Sequence, residues 1–542
     1  MAFAVLLRCL RLFYSGTYSI FNPDSYFFHW VGQRVMAGEG APAGTSGVNY
    51  TLHSGFAYPA SYMAKALGFA FHLSPANSLE LVFKFLPPAI GVISIVLLYL
   101  FLARSLNNRV AFFAALTWAL LFNALFMGAA GNLDRDALTV LLLMVGAMSF
   151  YLSRSWKLNI GKRDVGWIIS GFSVLLVQAL LYLEWGLQGA VFLVAIIFVY
   201  SVLKLVLEYS SLLEKEPNVM RRIAIASRRS DLRAFVLVAV ISLVAAGLFS
   251  HQSAGTFDLI VRLIQGRLSG PQAFGASEEQ GLSFRDVIGF QFFLVPIGLG
   301  LYLAWKQRND TVVFFAGWFV SFLILSLLVY RVIILAVPAA CVVSGVGLAS
   351  LWGTMASRDS RDLWKQLGIL VILILLVLIS SASAASLNRN NYILTPDKDW
   401  QEALVYLRAN TPEDAVIMSQ WSYGYWILDV AQREPFIDNG YYGYTGDRLK
   451  DVGLAYSSTD PSEAAEIMAK RGTEYLVFGK QDLDLASTIL EWAGLKNKEG
   501  TFPEDSLVVR SLNGDFLSGY GLELVFKNDE VVILALAQPG QT

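Results

Sequence analysis

Cysteine, histidine and charge are scarce in this sequence, and each scarcity removes a class of function. Cys9 and Cys341 are its two cysteines, both in apolar segments, which argues against a disulfide framework or a thiolate metal site. Four histidines with no HExxH pattern argue against a zinc hydrolase. A P-loop and a dinucleotide fingerprint are also missing. The net charge of −1 argues against nucleic acid as a partner. Charged residues make up 15% of the chain, against about a quarter in soluble domains.

What fills the sequence instead is apolar. Of its 542 residues 55% are hydrophobic, and the mean hydropathy is +0.53. A membrane-spanning helix needs about 20 mostly apolar residues. Runs that meet or approach this are 1–21, 81–103, 110–130, 137–153, 167–183, 186–207, 232–250, 287–305, 312–330, 332–352 and 367–385. The expected architecture is therefore a polytopic α-helical membrane protein with roughly eleven spans. Residues 57–73 are apolar but contain Pro59, Lys65 and His72, and read as a helix lying on the outer surface. No cleavable signal peptide stands out. Arg8 and Arg11 within the opening run fit either a short first span or a misassigned start.

Basic clusters at 104–109, 154–163, 204–233, 306–308 and 358–365 fall in alternate loops. The positive-inside rule makes those loops cytoplasmic. An odd span count then places the N-terminus inside and residues after 386 outside, with the polar segments 22–77, 131–135 and 251–286. Two domains follow: 1–386 in the membrane and 387–542 as a soluble extracytoplasmic α/β domain. Within the latter, β-like runs at 415–418, 475–478, 522–526 and 531–534 alternate with helical periodicity at 400–408 and 462–471. They imply a mixed sheet.

Five elements carry candidate chemistry. Asn22-Pro23-Asp24-Ser25-Tyr26 follows the first span, and Gly131-Asn132-Leu133-Asp134-Arg135-Asp136 forms a short turn between apolar runs. Carboxylates at a membrane interface are costly to hold unpaired. Hard oxygen ligands of this kind suit Mg²⁺ or Mn²⁺, while helix capping and the helix dipole are the bland explanation of the same residues. Gly275-Ala276-Ser277-Glu278-Glu279-Gln280 lies in a long outer loop. Arg331 opens a span, where a guanidinium either grips a phosphate with two hydrogen bonds or snorkels to the interface. The last element is Gln420-Trp421-Ser422-Tyr423-Gly424-Tyr425-Trp426-Ile427, a compact aromatic turn suited to peptide recognition.

That turn resembles the Trp-Trp-Asp-Tyr-Gly signature of oligosaccharyltransferase catalytic subunits, with Gln420 for the first Trp and Ser422 for the Asp. The order of the later elements is also similar to the archaeal and bacterial single-subunit type: Arg433-Glu434-Pro435, Asp438-Asn439-Gly440, an Ala-rich helix from Pro461, then Tyr475 in a strand. The resemblance implies a GT-C-like membrane glycosyltransferase of about 11–13 spans that moves a glycan from a polyprenyl (dolichyl) phosphate or pyrophosphate carrier onto Asn of Asn-x-Ser/Thr. It implies Asp24 and Glu278 as catalytic carboxylates and Asp24, Asp134 and Asp136 as ligands of Mg²⁺ or Mn²⁺. It assigns Arg331 to the donor phosphate, and Trp421, Ser422 and Tyr423 to the acceptor peptide. Residues 482–490 stand where the family has a second helix motif but lack its Lys and Met, so they join no site. The implied partners are a lipid-linked oligosaccharide, a sequon-bearing polypeptide and membrane lipid, with the protein acting as a single subunit. Asn49-Tyr50-Thr51 is read as a chance sequon. The competing readings are a related enzyme with a lipid, polysaccharide or Ser/Thr acceptor, a flippase of lipid-linked sugars, and a non-catalytic accessory subunit.

Overall fold

The computed structural model describes residues 23–39, 57–121, 132–133, 135–155, 166–185, 187–213, 216–229, 293–326, 330–356, 395–438, 446–495, 500–515 and 520–537, with a short ladder at 159–164 and isolated residues elsewhere. Asp134 and Glu278, the side chain of Arg331, the runs 232–250 and 367–385, the loop 251–286 and the sequon at Asn49 lie outside the described residues. The chain divides into two compact units. One contains Met1–Tyr14, Leu86–Ala129 and Arg135–Arg389; the other contains Ser15–Phe85, Ala130–Asp134 and Asn390–Thr542. This division differs from a single boundary at 386, because the segment around Asp24 groups with the C-terminal residues.

The first unit is helical and apolar. Among the described residues three helices are long and apolar enough to cross a membrane: Pro75–Ser105, which belongs to this unit from Leu86 onward, Phe192–Ser211 and Val332–Gly353. Asp136–Leu152, Phe172–Leu181 and Asp310–Ser326 are shorter apolar helices. Close packing in this unit depends on glycine. A Cβ on Gly300 would strike the Val343 carbonyl, one on Gly347 the Pro296 carbonyl, and one on Gly345 would come within 2.6 Å of the Ala114 nitrogen. Small residues of this kind let apolar helices approach where lipid supplies no hydrophobic drive.

Polar ties complete the packing. The Trp318 indole donates to the Leu335 carbonyl at 2.9 Å, and Lys204 meets Asp310 at 3.1 Å. Within the run 110–130 the helix Asn108–Leu120 ends at Leu121, whose ψ of 125° is extended. Asn107 caps its start by accepting from the Val110 N–H. The run 332–352 begins as a 3₁₀ turn, Tyr330–Ala336, before the helix Val337–Ala356. Pro338 in that helix's first turn explains the switch, since proline suits the opening of a helix and cannot donate within one.

The second unit contains a five-stranded sheet built from β1 (Val416–Met418), β2 (Glu434–Pro435), β3 (Tyr475–Gly479), β4 (Leu522–Lys527) and β5 (Val531–Leu536). Their spatial order is β2-β1-β3-β5-β4. β1 pairs parallel with β2 and β3, whereas β5 pairs antiparallel with β3 and β4. The sheet is mixed, as the alternation of short runs predicts.

Helices Lys398–Asn410 and Pro461–Arg471 start where side chains allow. Asp397 accepts from the Trp400 N–H, Asp460 accepts from the Ser462 N–H, and Pro461 occupies the first turn. The second of them ends on Gly472, whose φ of +65° suits glycine. Met418, Phe436, Tyr456, Met468, Leu476, Phe478 and Val532 fill the core between sheet and helices.

Candidate functional site

The aromatic turn starts where β1 stops. Gln420 is extended, and its side-chain oxygen accepts from the Ser422 N–H at 2.7 Å. It thus acts as the cap of the 3₁₀ turn Trp421–Tyr423. The Gln420 side-chain nitrogen also contacts the Ser422 hydroxyl. The Gln420 backbone N–H donates to the Tyr456 hydroxyl at 2.9 Å, which in turn donates to the Val477 carbonyl at 2.6 Å. One buried tyrosine therefore ties the turn to strand β3.

Behind the turn is a closed aromatic box. Tyr423 packs on Trp400, with ring centroids 4.0 Å apart, and on Trp426 at 5.6 Å. All three side chains are fully buried. The Tyr423 hydroxyl donates to one carboxylate oxygen of Asp482 at 2.8 Å, and the Gly479 N–H donates to the other at 2.8 Å. Burial raises the Asp482 carboxyl to about 7, and those two donors restrain the rise. Burial and the nearby Asp482 charge push the Tyr423 phenol well above its ordinary value.

Two glycines allow this closeness. A Cβ on Gly424 would lie 2.5 Å from the Asp438 Cα, and one on Gly479 would lie 2.8 Å from the Trp400 ring. The three residues expected to grip the acceptor thus differ. Trp421 is half-exposed and Ser422 is buried against Gln420. Tyr423 is turned inward, so as built it supports the turn and presents no surface. The physical reason is the Asp482 carboxylate, which gives its hydroxyl a partner inside the fold.

Asp24 belongs to this same unit. It is half-buried in the first turn of helix Pro23–Ala37, where a carboxylate favours the helix dipole. The helix packs beside the turn: Phe27 stacks on Tyr425 with centroids 5.0 Å apart, and His29 Nδ1 meets Asp429 at 2.9 Å. Asp429 lies in a single π-turn, Ile427–Ala431, directly after the signature. Such turns often mark functional sites. Gln432 closes it with φ +52°. Arg433 then anchors the exit, donating at 2.7 Å to each of the Arg408 and Thr411 carbonyls and at 2.8 Å to the Thr411 hydroxyl.

Asp136 is in the other unit, buried in the first turn of helix Arg135–Ser155. Among the described residues no group of three or more His, Cys, Asp or Glu side chains is placed to hold a metal ion. Arg331 lies in the 3₁₀ turn Tyr330–Ala336. Sequence reasoning missed His29, Asp429 and Asp482. A lone histidine on an aromatic-rich helix gives no signal of a partner 400 residues away.

The model of a family described as "Dpy19: Q-cell neuroblast polarisation" matches residues 137–482, more than half of the chain. The chain belongs to the Dpy19 family. As a Dpy19-family protein it also resembles oligosaccharyltransferase catalytic subunits in sequence. It is 43% identical over 83 residues to the STT3B subunit of dolichyl-diphosphooligosaccharide–protein glycosyltransferase from Oryza sativa subsp. japonica, covering 15% of this chain and 11% of the relative. It is 37% identical over 97 residues to the stt-3 subunit from Caenorhabditis elegans, covering 18% and 12%. These alignments span only about an eighth of each relative's length or less.

Two solved structures show the fold. The archaeal oligosaccharyltransferase AglB from Archaeoglobus fulgidus, in complex with an inhibitory peptide and a dolichol-phosphate, aligns with a TM-score of 0.69 at 16% identity over 95% of this chain and 77% of that one. ArnT from Cupriavidus metallidurans in the apo state aligns with a TM-score of 0.52 at 13% identity over 98% and 96%. This Dpy19-family chain is therefore an integral membrane protein with the fold of GT-C membrane glycosyltransferases.

Proposed function

We propose that the protein is an oligosaccharyltransferase-type membrane glycosyltransferase, which moves a glycan from a dolichyl or other polyprenyl (pyro)phosphate onto Asn of Asn-x-Ser/Thr. One observation carries the reading: the helix bearing Asp24 packs on Tyr425 and Asp429, directly after the Trp421–Tyr423 turn, within a single compact unit. The similarity to oligosaccharyltransferase subunits in sequence and to AglB in fold supports it. In this reading the N-terminus is cytoplasmic, the site lies on the opposite face, and the chain acts as a single subunit.

An amide nitrogen is a weak nucleophile because its lone pair is delocalised into the carbonyl. Asp24 and Glu278 would accept the two N–H groups of the acceptor Asn and favour twisting of its C–N bond, freeing that pair to attack the anomeric carbon with inversion. Arg331 would stabilise the departing phosphate with paired hydrogen bonds. Asp24, Asp134 and Asp136 would hold Mg²⁺ or Mn²⁺, whose charge would offset that of the leaving group. Trp421 offers the acceptor a half-exposed aromatic face.

A second reading follows from Gln420 and Ser422. In place of the Asp of the oligosaccharyltransferase signature stands a buried serine whose hydroxyl is contacted by Gln420. That pairing weakens the reading of a Ser/Thr hydroxyl and favours a related enzyme that transfers a polyprenyl-phosphate sugar to another acceptor. The test is transfer from lipid-linked oligosaccharide in the presence of Mn²⁺ to peptides Asn-x-Thr, Asn-x-Ser and Asn-x-Ala. It compares the wild type with Asp24→Ala and Glu278→Ala, and product analysis locates the sugar. Amide-linked product lost in both variants supports the first reading. A sugar attached elsewhere selects the second, and undiminished transfer by both variants refutes the amide activation.

A further inference from the structure

The contact between His29 and Asp429 is used by none of the chemistry above, yet it joins two parts of the candidate site that lie 400 residues apart in sequence. His29 Nδ1 lies 2.9 Å from one Asp429 carboxylate oxygen and 3.1 Å from the other. Nδ1 therefore carries the proton, since it faces two acceptors. The Gln33 side-chain amide lies 3.2 Å from the same nitrogen. Phe83 closes the imidazole from the side, edge-on at 5.2 Å. The two side chains are only 15% and 5% exposed, so the pair sits largely out of water, where a carboxylate without a partner is costly.

Each partner is held by its own element. Asp429 projects from the π-turn whose exit Arg433 pins to the end of helix Lys398–Asn410. His29 is one turn and a half along the helix that starts beside Asp24. The same helix carries Phe27, which stacks on Tyr425 of the signature. Stacking alone permits sliding, because an aromatic contact tolerates lateral shifts. A short polar contact between one ring nitrogen and a buried carboxylate fixes both distance and direction, and does not permit it.

We infer that His29 and Asp429 form a positioning latch: it sets the register of helix Pro23–Ala37, and with it Asp24, against the Trp421–Tyr423 turn. The inference rests on the proposed transfer reaction, in which Asp24 orients the acceptor amide while the turn holds the acceptor chain. A sliding helix would let each group bind and would misplace them for reaction. Neither His29 nor Asp429 touches the reacting atoms.

The full-length protein in detergent provides two separate readouts. Hydrogen exchange over Pro23–Ala37 reports the latch itself, whatever the enzyme transfers. Steady-state transfer reports its use. His29→Ala and Asp429→Ala are each expected to raise exchange in that helix while leaving Lys398–Asn410 protected. They are also expected to lower kcat at least tenfold, with a change of less than threefold in the peptide KM. His29→Asn, which keeps a donor near the Nδ1 position, is expected to restore most of both.

Unchanged exchange in both alanine variants would overturn the latch. Raised exchange with kcat within twofold of wild type would overturn its link to catalysis, as would equal failure of His29→Asn and His29→Ala. A wild type that transfers nothing counts against the proposed function alone, because the exchange experiment still decides the latch.

Discussion

Replacing Asp482 by asparagine tests whether the box behind the aromatic turn is arranged as described. The carboxyl is fully buried and raised from 3.8 to about 7. Between those values the folded protein holds a proton that the unfolded chain has released. Stability from this group is therefore complete below about pH 4 and is lost as the pH climbs to about 7. The ceiling on that loss is roughly 4 kcal/mol, at ~1.4 kcal/mol per pH unit. Local relaxation around a buried charge brings the expected value nearer to about 2 kcal/mol.

Asparagine removes the ionisation and keeps the contacts, with its oxygen toward the Gly479 N–H and its nitrogen toward the Tyr423 hydroxyl. For a unit of this size about 2 kcal/mol corresponds to roughly 4–8 °C in melting temperature. The two proteins should thus melt together near about pH 4, and the variant should melt higher by about that margin near about pH 8. Tryptophan fluorescence is the natural probe, because Trp400 and Trp426 pack on Tyr423. Parallel melting temperatures across the range would refute the reasoning, since the carboxylate would then not be titrating inside the box.

Gly424→Ala places a Cβ 2.5 Å from the Asp438 Cα and 2.6 Å from the Ile437 carbonyl oxygen. A backbone clash of this kind should lower stability by about 1–3 kcal/mol, read as a reduced melting temperature. Arg433→Ala removes the donors to the Arg408 and Thr411 carbonyls and should cost about 2–4 kcal/mol. Arg433→Lys should recover little of it, because one ammonium cannot reach all three acceptors; full recovery would count against the anchoring role. Chelation by EDTA should abolish transfer, and Mn²⁺ or Mg²⁺ should restore it, measured on a labelled acceptor peptide. Transfer that persists in excess chelator would remove the metal from the proposed reaction.

The local devices were legible in the sequence, and the long-range ones were not. Helical periodicity at 400–408 and 462–471 marked two helices, whose starts the structure places at the caps Asp397 and Asp460. The four principal strands followed from short runs of β-branched and aromatic residues. The turn after β1 was legible as a turn because it combines serine, glycine and aromatics. Its inner organisation was not. Gln420 looked like a departure from a pattern, yet it caps the turn through its own side chain. Tyr423 looked like a surface residue until Asp482, 59 positions later, took its hydroxyl. Periodicity could not show that run 110–130 leaves the helix at Leu121, because apolar residues continue past the end. The pairing of Asp429 with a histidine near the other end of the chain belongs to tertiary structure alone.

The strand order has a consequence for how this unit is made. β5, the last of the described strands, sits inside the sheet between β3 and β4. Val531, Val532, Ile533 and Leu534 on it are fully enclosed. During synthesis the earlier strands emerge with a vacant slot beside β3, and Tyr475–Gly479 exposes an unpaired edge until residue 536 has been made. That edge is a template for wrong partners. A ribosome stalled short of β5 would therefore release a chain whose aromatic turn is complete in sequence yet has no finished sheet to stand on.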